Sequence, residues 1–519
     1  MKRILYILIP GLLLVNTGCK KFLEEKSQDE MRPSTVQDLS GLMAGEAYPY
    51  FVNITSVLNM VTDDVNCVGG QGLPNYEAVV RRGKAPFSWS KHMFEELLTA
   101  EGVANLSTLN SWEIIYNRIV GCNVGLEYAD KVTGSEKDKA NLKAEVLALR
   151  AYYYFMLVNM YGKPYNTQGL DPEKSPGVPL KLKMVVTDEL FKRNSVAEVY
   201  RQIEADIQAS ISLFQQYPQD KGVYKMSETA GYALLSRVYL YQEKWDLAIE
   251  YANKALAKKS VLTQLSTFNS TLYYTYNTTD NSLNVNRIYS PAISKEVIWT
   301  YVPNKSVEDD FLKSSLSPAY NRVNVPPYGI SPELINLYDS KGFEANETYI
   351  GDLRPRIYFN YASYVGVTPP STLTYFFRGI TGGMGGAGIR VAELYLNRAE
   401  ANIQKFIQTG NDALRTSALN DLNTLRLSRY DSRKPYVQVD ITDGTQLLNF
   451  YKEERRRELP FDGHRWFDLR RYGMPSISHL YQETAGTAQT FTLSKGDNRY
   501  TWPIPQVVLD RNGELTQNP

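Results

Sequence analysis

The chain has 519 residues and a formal net charge of +1, because 57 lysines and arginines nearly balance 56 aspartates and glutamates. This balance gives neither the basic excess of a nucleic-acid-binding protein nor an acidic solvating tail. At roughly 100–200 residues per domain, the length predicts about three structural units. Tyrosine is abundant, with 38 copies against 18 phenylalanines, and a ring with a polar tip suits both helix packing and ligand clefts.

The N-terminal segment predicts a signal peptide followed by a lipid-attachment site. A charged start leads into an apolar run, 4–15, which is too short to span a bilayer but has the length of a signal-peptide core. The run is followed by Asn-Thr-Gly and then Cys19, and a small residue directly before a cysteine is the pattern of bacterial lipoproteins, although Asn16 stands where an aliphatic residue is usual. We expect a signal peptide over 1–18, a lipid on Cys19 and a lipidated tether over 19–34. An ordinary secretory signal is the alternative.

Apolar residues at helical spacing predict a mainly α fold. Residues 35–62 are expected to be helical, and 108–132 and 139–162 to form an antiparallel helix pair. Ser195 and Glu198 form a Ser-x-x-Glu capping box, in which each side chain satisfies a free N–H group at the start of a helix.

The segment 232–256 matches the spacing of a tetratricopeptide helix pair. Small residues such as Ser236 and Ala248 stand where the two helices would cross closely. The predicted fold is therefore a tetratricopeptide-like helical repeat scaffold with long irregular loops and a few short strands. The other expected units are 390–403 with 418–429, 139–162 with 195–214, and one around 113–130.

Two long segments, 63–95 and 261–330, interrupt the helical pattern. They combine polar residues with aromatic residues that lack helical spacing, as functional loops often do. Short strands are predicted at 296–302 and 374–379. We expect the two segments to meet on one face and form an aromatic platform, with Trp89 as the first choice because indole offers a large flat surface and an N–H donor. The alternative is that Trp89 holds its loop onto the helices. The candidate ligand-binding residues are Trp89, Tyr76, Arg81, Tyr273, Tyr289 and Tyr320.

The stretch 453–472, EERRRELPFDGHRWFDLRRY, interleaves charges of both signs with aromatic rings. Proline lacks an N–H group, so Pro460 predicts a break between two helical pieces, the first ending near Leu459. Glu453 and Arg457 stand one helical turn apart. Because the charges are balanced and the rings favour burial, we expect a buried ion network that docks the C-terminal helices. An anion-binding arginine cluster is the alternative.

This stretch resembles the C-terminal signature of the SusD/RagB family, the nutrient-uptake lipoproteins of the Bacteroidetes outer membrane. KAEVLALRAYYYFMLVNMYG, 143–162, is similar to a second family block, and WPIPQVVLDRNGELTQNP, 502–519, to the family's C-terminal close. The resemblance implies a SusD-like helical domain over 35–519, with ligand-loop insertions at about 63–95 and 261–330. The family's ligand-site residues lie outside these motifs, so none can be carried over.

The resemblance also implies a function. A SusD-like chain is expected to be lipid-anchored in the outer membrane, to face the exterior and to bind oligosaccharide or polysaccharide. It is expected to deliver this ligand to a partner, a TonB-dependent (SusC-like) outer-membrane barrel. The alternatives are the same scaffold capturing peptides, a lipid-anchored glycoside hydrolase, and a helical assembly scaffold without a small ligand.

Two further motifs predict little. Gly383-x-Gly385-x-x-Gly388 matches a dinucleotide fingerprint, but the strand before it is polar and the helix after it belongs to a helical repeat. Cys67 and Cys122 do not make a disulfide framework, and the sequence leaves open whether they pair. We expect no cofactor.

The histidines do not predict a metal site or a catalytic site. His92, His464 and His479 share no helical turn, so they form no zinc motif. Asp462, His464 and Asp468 could make a triad-like set, but they sit inside the charged stretch and we expect structural hydrogen bonds there. We predict a binding protein with no catalytic residue.

Overall fold

A computed structural model describes residues 32–69, 74–99, 110–185, 190–267, 288–303, 327–341, 349–362, 374–377, 386–484 and 486–519. The expected signal peptide, Cys19, Tyr273, Tyr320 and the first two glycines of the Gly383–Gly388 motif lie outside these ranges. Helices dominate the described residues, with a few short strands between them. The predicted fold class is therefore confirmed.

Nine helices form the N-terminal half of the described chain. They are α1 (Val36–Glu46), α2 (Pro74–Arg82), α3 (Lys84–Phe87), α4 (Met93–Thr99), α5 (Ser111–Tyr128), α6 (Glu136–Tyr161), α7 (Val196–Gln216), α8 (Glu228–Tyr241) and α9 (Trp245–Lys258).

Seven helices follow in the C-terminal half of the described chain. They are α10 (Pro332–Ile335), α11 (Arg354–Tyr358), α12 (Val391–Thr409), α13 (Asp412–Leu427), α14 (Gly444–Glu458), α15 (Arg465–Arg471) and α16 (Gln506–Arg511).

Helix hairpins build the scaffold. Helix α5 packs on α6, α6 on α7, α8 on α9, and α12 on α13, while α12 also packs on α9 and α14. The capping box opens α7 as predicted: the Glu198 N–H donates to Ser195 Oγ at 3.1 Å, and the Ser195 N–H donates to Glu198 Oε2 at 2.7 Å. The expected helix pairs are confirmed.

The crossing of α8 and α9 shows why the tetratricopeptide spacing was informative. Ser236, Ala248, Ala252 and Ala255 are buried between the helices. Ser236 Oγ donates to the carbonyl of Ala248 at 3.0 Å, so the two backbones approach closely. Larger side chains at these positions would push the helices apart.

Within the described ranges, eight strands pair into four two-stranded antiparallel sheets. Strand β1 (Val65–Cys67) pairs with β3 (Tyr328–Ile330), β2 (Val297–Tyr301) with β6 (Ala387–Arg390), β4 (Phe359–Ala362) with β5 (Thr374–Phe377), and β7 (Ile477–Tyr481) with β8 (Gln489–Leu493). The strands expected at 296–302 and 374–379 are thus present.

The segment 63–95 is not the irregular loop that its glycines and prolines suggest. It contains β1, α2, α3 and the start of α4. Pro74 is the first residue of α2, where a missing N–H costs nothing. Gly83 separates α2 from α3, and a Cβ there would lie 2.3 Å from the ring of Tyr328. Two of the residues that indicate a loop, Pro74 and Gly83, are therefore helix boundaries.

The segment 35–62 is also only partly helical. Helix α1 ends at Glu46, and the chain then runs through turns. Phe51 and Ser56 adopt positive φ values, 56° and 52°, which a continuous right-handed helix excludes.

Candidate functional site

The charged stretch 453–472 folds as two helices, as predicted. Helix α14 ends at Glu458, and α15 begins at Arg465 after the turn that contains Pro460. Arg457 contacts Glu454 at 2.9 Å and Glu453 at 3.5 Å. The stretch is therefore an ordered element whose charges have partners.

Glu458 and Glu454 are the centre of a fully buried ion network. Glu458 accepts from Arg390 at 2.8 Å, from Arg429 at 2.8 Å and from Arg354 at 3.3 Å. Glu454 accepts from Arg354 at 2.7 Å. Burial alone would raise the pKa of Glu458, but the guanidiniums of Arg429 and Arg390 lower that pKa to about 2.

Asp63 and Asp64 tie the same stretch to the N-terminal part of the fold. Arg456 donates to Asp64 at 2.6 Å, and Arg465 donates to both oxygens of Asp63 at 2.7 Å. Burial favours a raised pKa for Asp63, yet Arg465 and Arg456 lower it to about 2. The carboxylate pair and the arginines neutralise each other, so the predicted docking network is confirmed over the anion-binding alternative.

The triad-like set is structural. Asp462 accepts from Arg390 at 2.9 Å and from Tyr289 at 3.1 Å, and Asp468 accepts from Arg455 at 2.8 Å. His464 Nδ1 lies 3.4 Å from a guanidinium nitrogen of Arg455. Burial and the neighbouring guanidiniums lower the pKa of His464. Both carboxylates thus hold arginines, as expected.

Three of the predicted ligand-binding rings are buried. Trp89, Tyr76 and Tyr289 are 2 %, 1 % and 3 % exposed. The indole N–H of Trp89 donates to the carbonyl of Val61 at 2.9 Å, and its ring stacks on His479 at 4.2 Å. The expectation that these rings form an exposed platform is corrected, because their polar atoms and faces are used within the protein. The alternative for Trp89, that it holds its segment onto the fold, is what the structure shows.

Of the four predicted ligand-binding residues that the structure describes, Arg81 is the one at the surface. Its side chain is 57 % exposed and contacts Glu483 at 2.7 Å. The nearby Lys84 ammonium lies 5.2 Å from the centre of the Tyr481 ring. A contact of Arg81 with ligand remains a proposal.

The two interrupting segments do meet where both are described. Val65 pairs with Ile330 and Cys67 with Tyr328 in the β1–β3 sheet. The hydroxyl of Tyr328 donates to the carbonyl of Val80 at 2.6 Å. The segments therefore share a packed junction, formed by strands and buried side chains.

The described ranges show no metal cluster and no thiol pair. No group of three or more His, Cys, Asp or Glu side chains in them could hold a metal ion. Cys67 and Cys122 are buried and free, which settles the pairing that the sequence left open. Within the same ranges, no helix combines the length and apolar character needed to cross a membrane.

Two family models match the chain in order. A model described as "Starch-binding associating with outer membrane" matches residues 21–240, and a model of the SusD family matches residues 381–519. The chain belongs to the SusD/RagB family. Its glycan-binding character and its association with the outer membrane are supported at the level of this family.

Individual relatives agree with this SusD/RagB assignment. A SusD-like protein of Formosa agariphila is 25 % identical over 446 residues, which cover 78 % of each chain. A crystal structure described as a SusD-like carbohydrate binding protein from Bacteroides vulgatus covers 93 % of this chain and 97 % of its own, at 19 % identity and a TM-score of 0.62. A structure described as a laminarin binding SusD-like protein covers 94 % and 100 %, at 20 % identity and a TM-score of 0.57. The two structures establish the shared fold.

Proposed function

We propose that the protein is a surface-exposed outer-membrane lipoprotein that binds oligosaccharide or polysaccharide and delivers it to a SusC-like, TonB-dependent transporter. The observation that carries this proposal is the match of residues 21–240 to the starch-binding, outer-membrane-associated family model. The fold shared with a laminarin-binding protein supports a glycan as the ligand class.

The anchor in this proposal is Cys19. Cys19 would carry more than one acyl chain. These chains would hold the protein in the membrane fraction, because a single chain binds a membrane only marginally and a second chain makes the anchoring stable. The test compares the Cys19→Ala variant with wild type after cell fractionation. We expect the variant in the soluble fractions or unprocessed, and an unchanged membrane fraction would refute the anchor.

We propose that the protein binds its ligand without cleaving it. The carboxylates of Asp462 and Asp468 are held by guanidiniums, which leaves them poorly placed to act as an acid and base pair. Incubation of the purified protein with a bound glycan should release no reducing ends. Release of new reducing ends by wild type would favour the hydrolase alternative if substitution of Asp462 or Asp468 with Asn abolished that release.

The transporter partner is tested separately from the ligand. Co-purification from outer membranes through an affinity tag on this chain should recover a TonB-dependent barrel. The Cys19→Ala variant is the matched control, because it should lack the anchor while the sequence of the helical domain, 35–519, is unchanged. Recovery of no barrel from wild-type membranes would contradict delivery to such a transporter.

A further inference from the structure

Two aromatic side chains differ from the others in their exposure. Of all the aromatic side chains that the structure describes, only those of Phe51 and Tyr224 are exposed, at 74 % and 42 %. The remaining described rings are buried or half-buried within the fold. A flat ring that stays in contact with water is free to pack against a ligand. These two rings are therefore the accessible aromatic surface of the described chain.

Strand β2 brings the two rings to one place, although they lie far apart in the sequence. The Thr300 N–H donates to the carbonyl of Val223, directly before Tyr224, at 2.9 Å. The Phe51 N–H donates to the carbonyl of Val302 at 2.9 Å. Backbone groups two positions apart in a strand point to the same side. Both ring-bearing segments therefore lie along the same edge of β2.

The base beneath the two rings is rigid. The Tyr50 hydroxyl donates to the carbonyl of Tyr224, and the Tyr50 ring stacks on Tyr48, with ring centres 4.9 Å apart and planes 6° apart. The Tyr48 hydroxyl donates to the buried carboxylate of Glu145 at 2.8 Å. The Lys225 ammonium lies 4.2 Å from the centre of the Tyr48 ring. Both segments are thus fixed before any ligand arrives, which lowers the entropy cost of binding.

The backbone of Phe51 is strained. Its φ is 56°, a left-handed value that a bulky side chain rarely adopts. Strain of this kind occurs at ligand sites, where the surrounding structure holds the residue in place. The hydrogen bond to Val302 is one such restraint. Because Phe51 is both strained and exposed, neither its backbone nor its ring is arranged to stabilise the fold, which points to a role at the surface.

A cleft opens beside Tyr224. Its volume is about 530 Å³, within the range of roughly 300–1,000 Å³ that is usual for small-molecule sites. Gly222 and Val223, directly before Tyr224, line the cleft together with Ile298 of β2. The cleft and the two exposed rings therefore adjoin the same strand.

The lining of the cleft is polar and carries no net charge. Lys258 and Lys259 balance Asp220 and Glu228, and Lys258 contacts Glu228 at 2.7 Å. Thr229 adds a hydroxyl group to the lining. Such a lining offers hydrogen-bond donors and acceptors to hydroxyl groups without favouring an ion of either sign.

An uncharged oligosaccharide matches both parts of this surface. The CH groups on the faces of a pyranose ring pack against aromatic rings, and the hydroxyls at its edges suit the polar cleft. We propose that Phe51 and Tyr224 stack against sugar rings of a neutral oligosaccharide and that the adjoining cleft receives hydroxyls of the same chain. The ligand class rests on the proposed glycan-binding function. This surface differs from the aromatic platform predicted from the sequence, whose described rings are buried.

A glycan array that carries neutral and acidic oligosaccharides, probed with the full chain in detergent, tests this proposal. Phe51→Ala and Tyr224→Ala each remove one ring. Each should weaken binding to the glycan that wild type prefers by about tenfold or more, the effect of losing an aromatic anchor. Phe51→Trp supplies a flat ring again and should restore binding.

One control and a check of folding locate the effect. Val437→Ala truncates another exposed apolar side chain, 82 % exposed, which does not line the cleft, and it should bind as wild type does. Circular dichroism checks that each variant is folded. Tyr224 does not have a positive φ, so Tyr224→Ala tests the site even where Phe51→Ala fails to fold.

The outcomes separate this site from the proposed function. Equal glycan binding by wild type and both alanine variants would overturn the site and leave the proposed function intact. If those variants kept glycan binding but no longer recovered the barrel, the rings would belong to the transporter interface, which also overturns the site. Binding to acidic glycans alone would overturn the ligand class. Failure of folded wild type to bind any glycan would contradict the proposed function and this site together.

Discussion

Two buried polar regions of this chain differ in whether their polar groups have partners. In the network around Glu458, each carboxylate faces at least one guanidinium, and three arginines converge on Glu458 itself. In the C-terminal segment, the buried indole N–H of Trp502 and the buried hydroxyl of Thr501 have no partner in the described part of the chain. The comparison separates buried polar groups that stabilise the fold through their partners from buried polar groups that carry a desolvation penalty without a partner.

The difference has an energetic meaning. Removing one member of a buried ion pair leaves the other charge unpaired and is strongly destabilising. Removing an unpaired buried hydroxyl relieves a desolvation penalty and can be neutral or stabilising. Substitutions in the ion network should therefore lower the free energy of unfolding, whereas removal of the Thr501 hydroxyl should leave it unchanged or raise it.

The largest effect is expected at Glu458. Glu458→Gln keeps the shape but leaves Arg354, Arg390 and Arg429 without this carboxylate. We expect the free energy of unfolding, measured by urea denaturation, to fall by about 3–5 kcal/mol. The control is Glu127→Gln, which removes an exposed pair with Lys131 and should change stability by about 0.5 kcal/mol or less. A Glu458→Gln variant as stable as this control would contradict the network's role.

The lowered pKa of Glu458 predicts that the stability difference between wild type and Glu458→Gln depends on pH. The folded-state pKa of Glu458, about 2, lies below the value of about 4.3 for an unperturbed glutamate. Between these values the unfolded chain binds more protons, so this contribution to stability is present above about pH 4 and is lost as the pH falls towards 2. Urea denaturation over this range should show the gap between wild type and Glu458→Gln shrinking as the pH falls. A constant gap would mean that the Glu458 charge is not what stabilises the fold.

An intermediate effect is expected at the apolar crossing of α8 and α9. Ala248→Leu adds volume where Ser236 contacts the backbone of the facing helix, and overpacking of this kind costs about 1–3 kcal/mol. Ala257→Leu makes the same change at an exposed position of α9 and should leave the melting temperature nearly unchanged. Equal melting temperatures for both variants would argue against the close crossing.

The smallest effect, and the one that sharpens the comparison most, concerns two buried hydroxyls. Thr501→Val removes an unpaired hydroxyl, so the protein should be unchanged or up to about 1 kcal/mol more stable. Ser236→Ala removes a hydroxyl that donates to Ala248 and should cost about 1 kcal/mol. Urea denaturation of both variants measures the difference. A loss at Thr501→Val equal to that at Ser236→Ala would indicate that the Thr501 hydroxyl has a partner after all.

The scaffold could be predicted from the sequence because its determinants are local. The two residues of the capping box, Ser195 and Glu198, are three positions apart. Ser236 and Ala248, which meet at the crossing of α8 and α9, are twelve positions apart. Pro460 fixes the end of α14 through its own covalent structure. The SusD/RagB resemblance also rests on continuous stretches of sequence.

The partners of the charged stretch could not be predicted in the same way. The stretch was expected to be buried, but the partner of Arg456 is Asp64, which lies 392 positions earlier in the chain. A single sequence contains no pairing information over that separation. Only the fold brings the two together.

The ligand residues were the weakest part of the prediction for a related reason. Glycines and prolines in 63–95 mark helix boundaries as well as loops, so Trp89 and Tyr76 were expected at the surface and are buried. In the sequence, Trp502 is distinguished only as part of the C-terminal family block. Its unpaired N–H depends on what packs around it, which the sequence does not specify.

Glycan binding by this SusD/RagB chain is the central claim, and a glycan array on the soluble form without residues 1–19 tests it most directly. A parallel peptide array provides the competing ligand class. The account predicts saturable binding to at least one class of oligosaccharide or polysaccharide and none to the peptides. Binding to peptides alone, by protein shown to be folded, would contradict it.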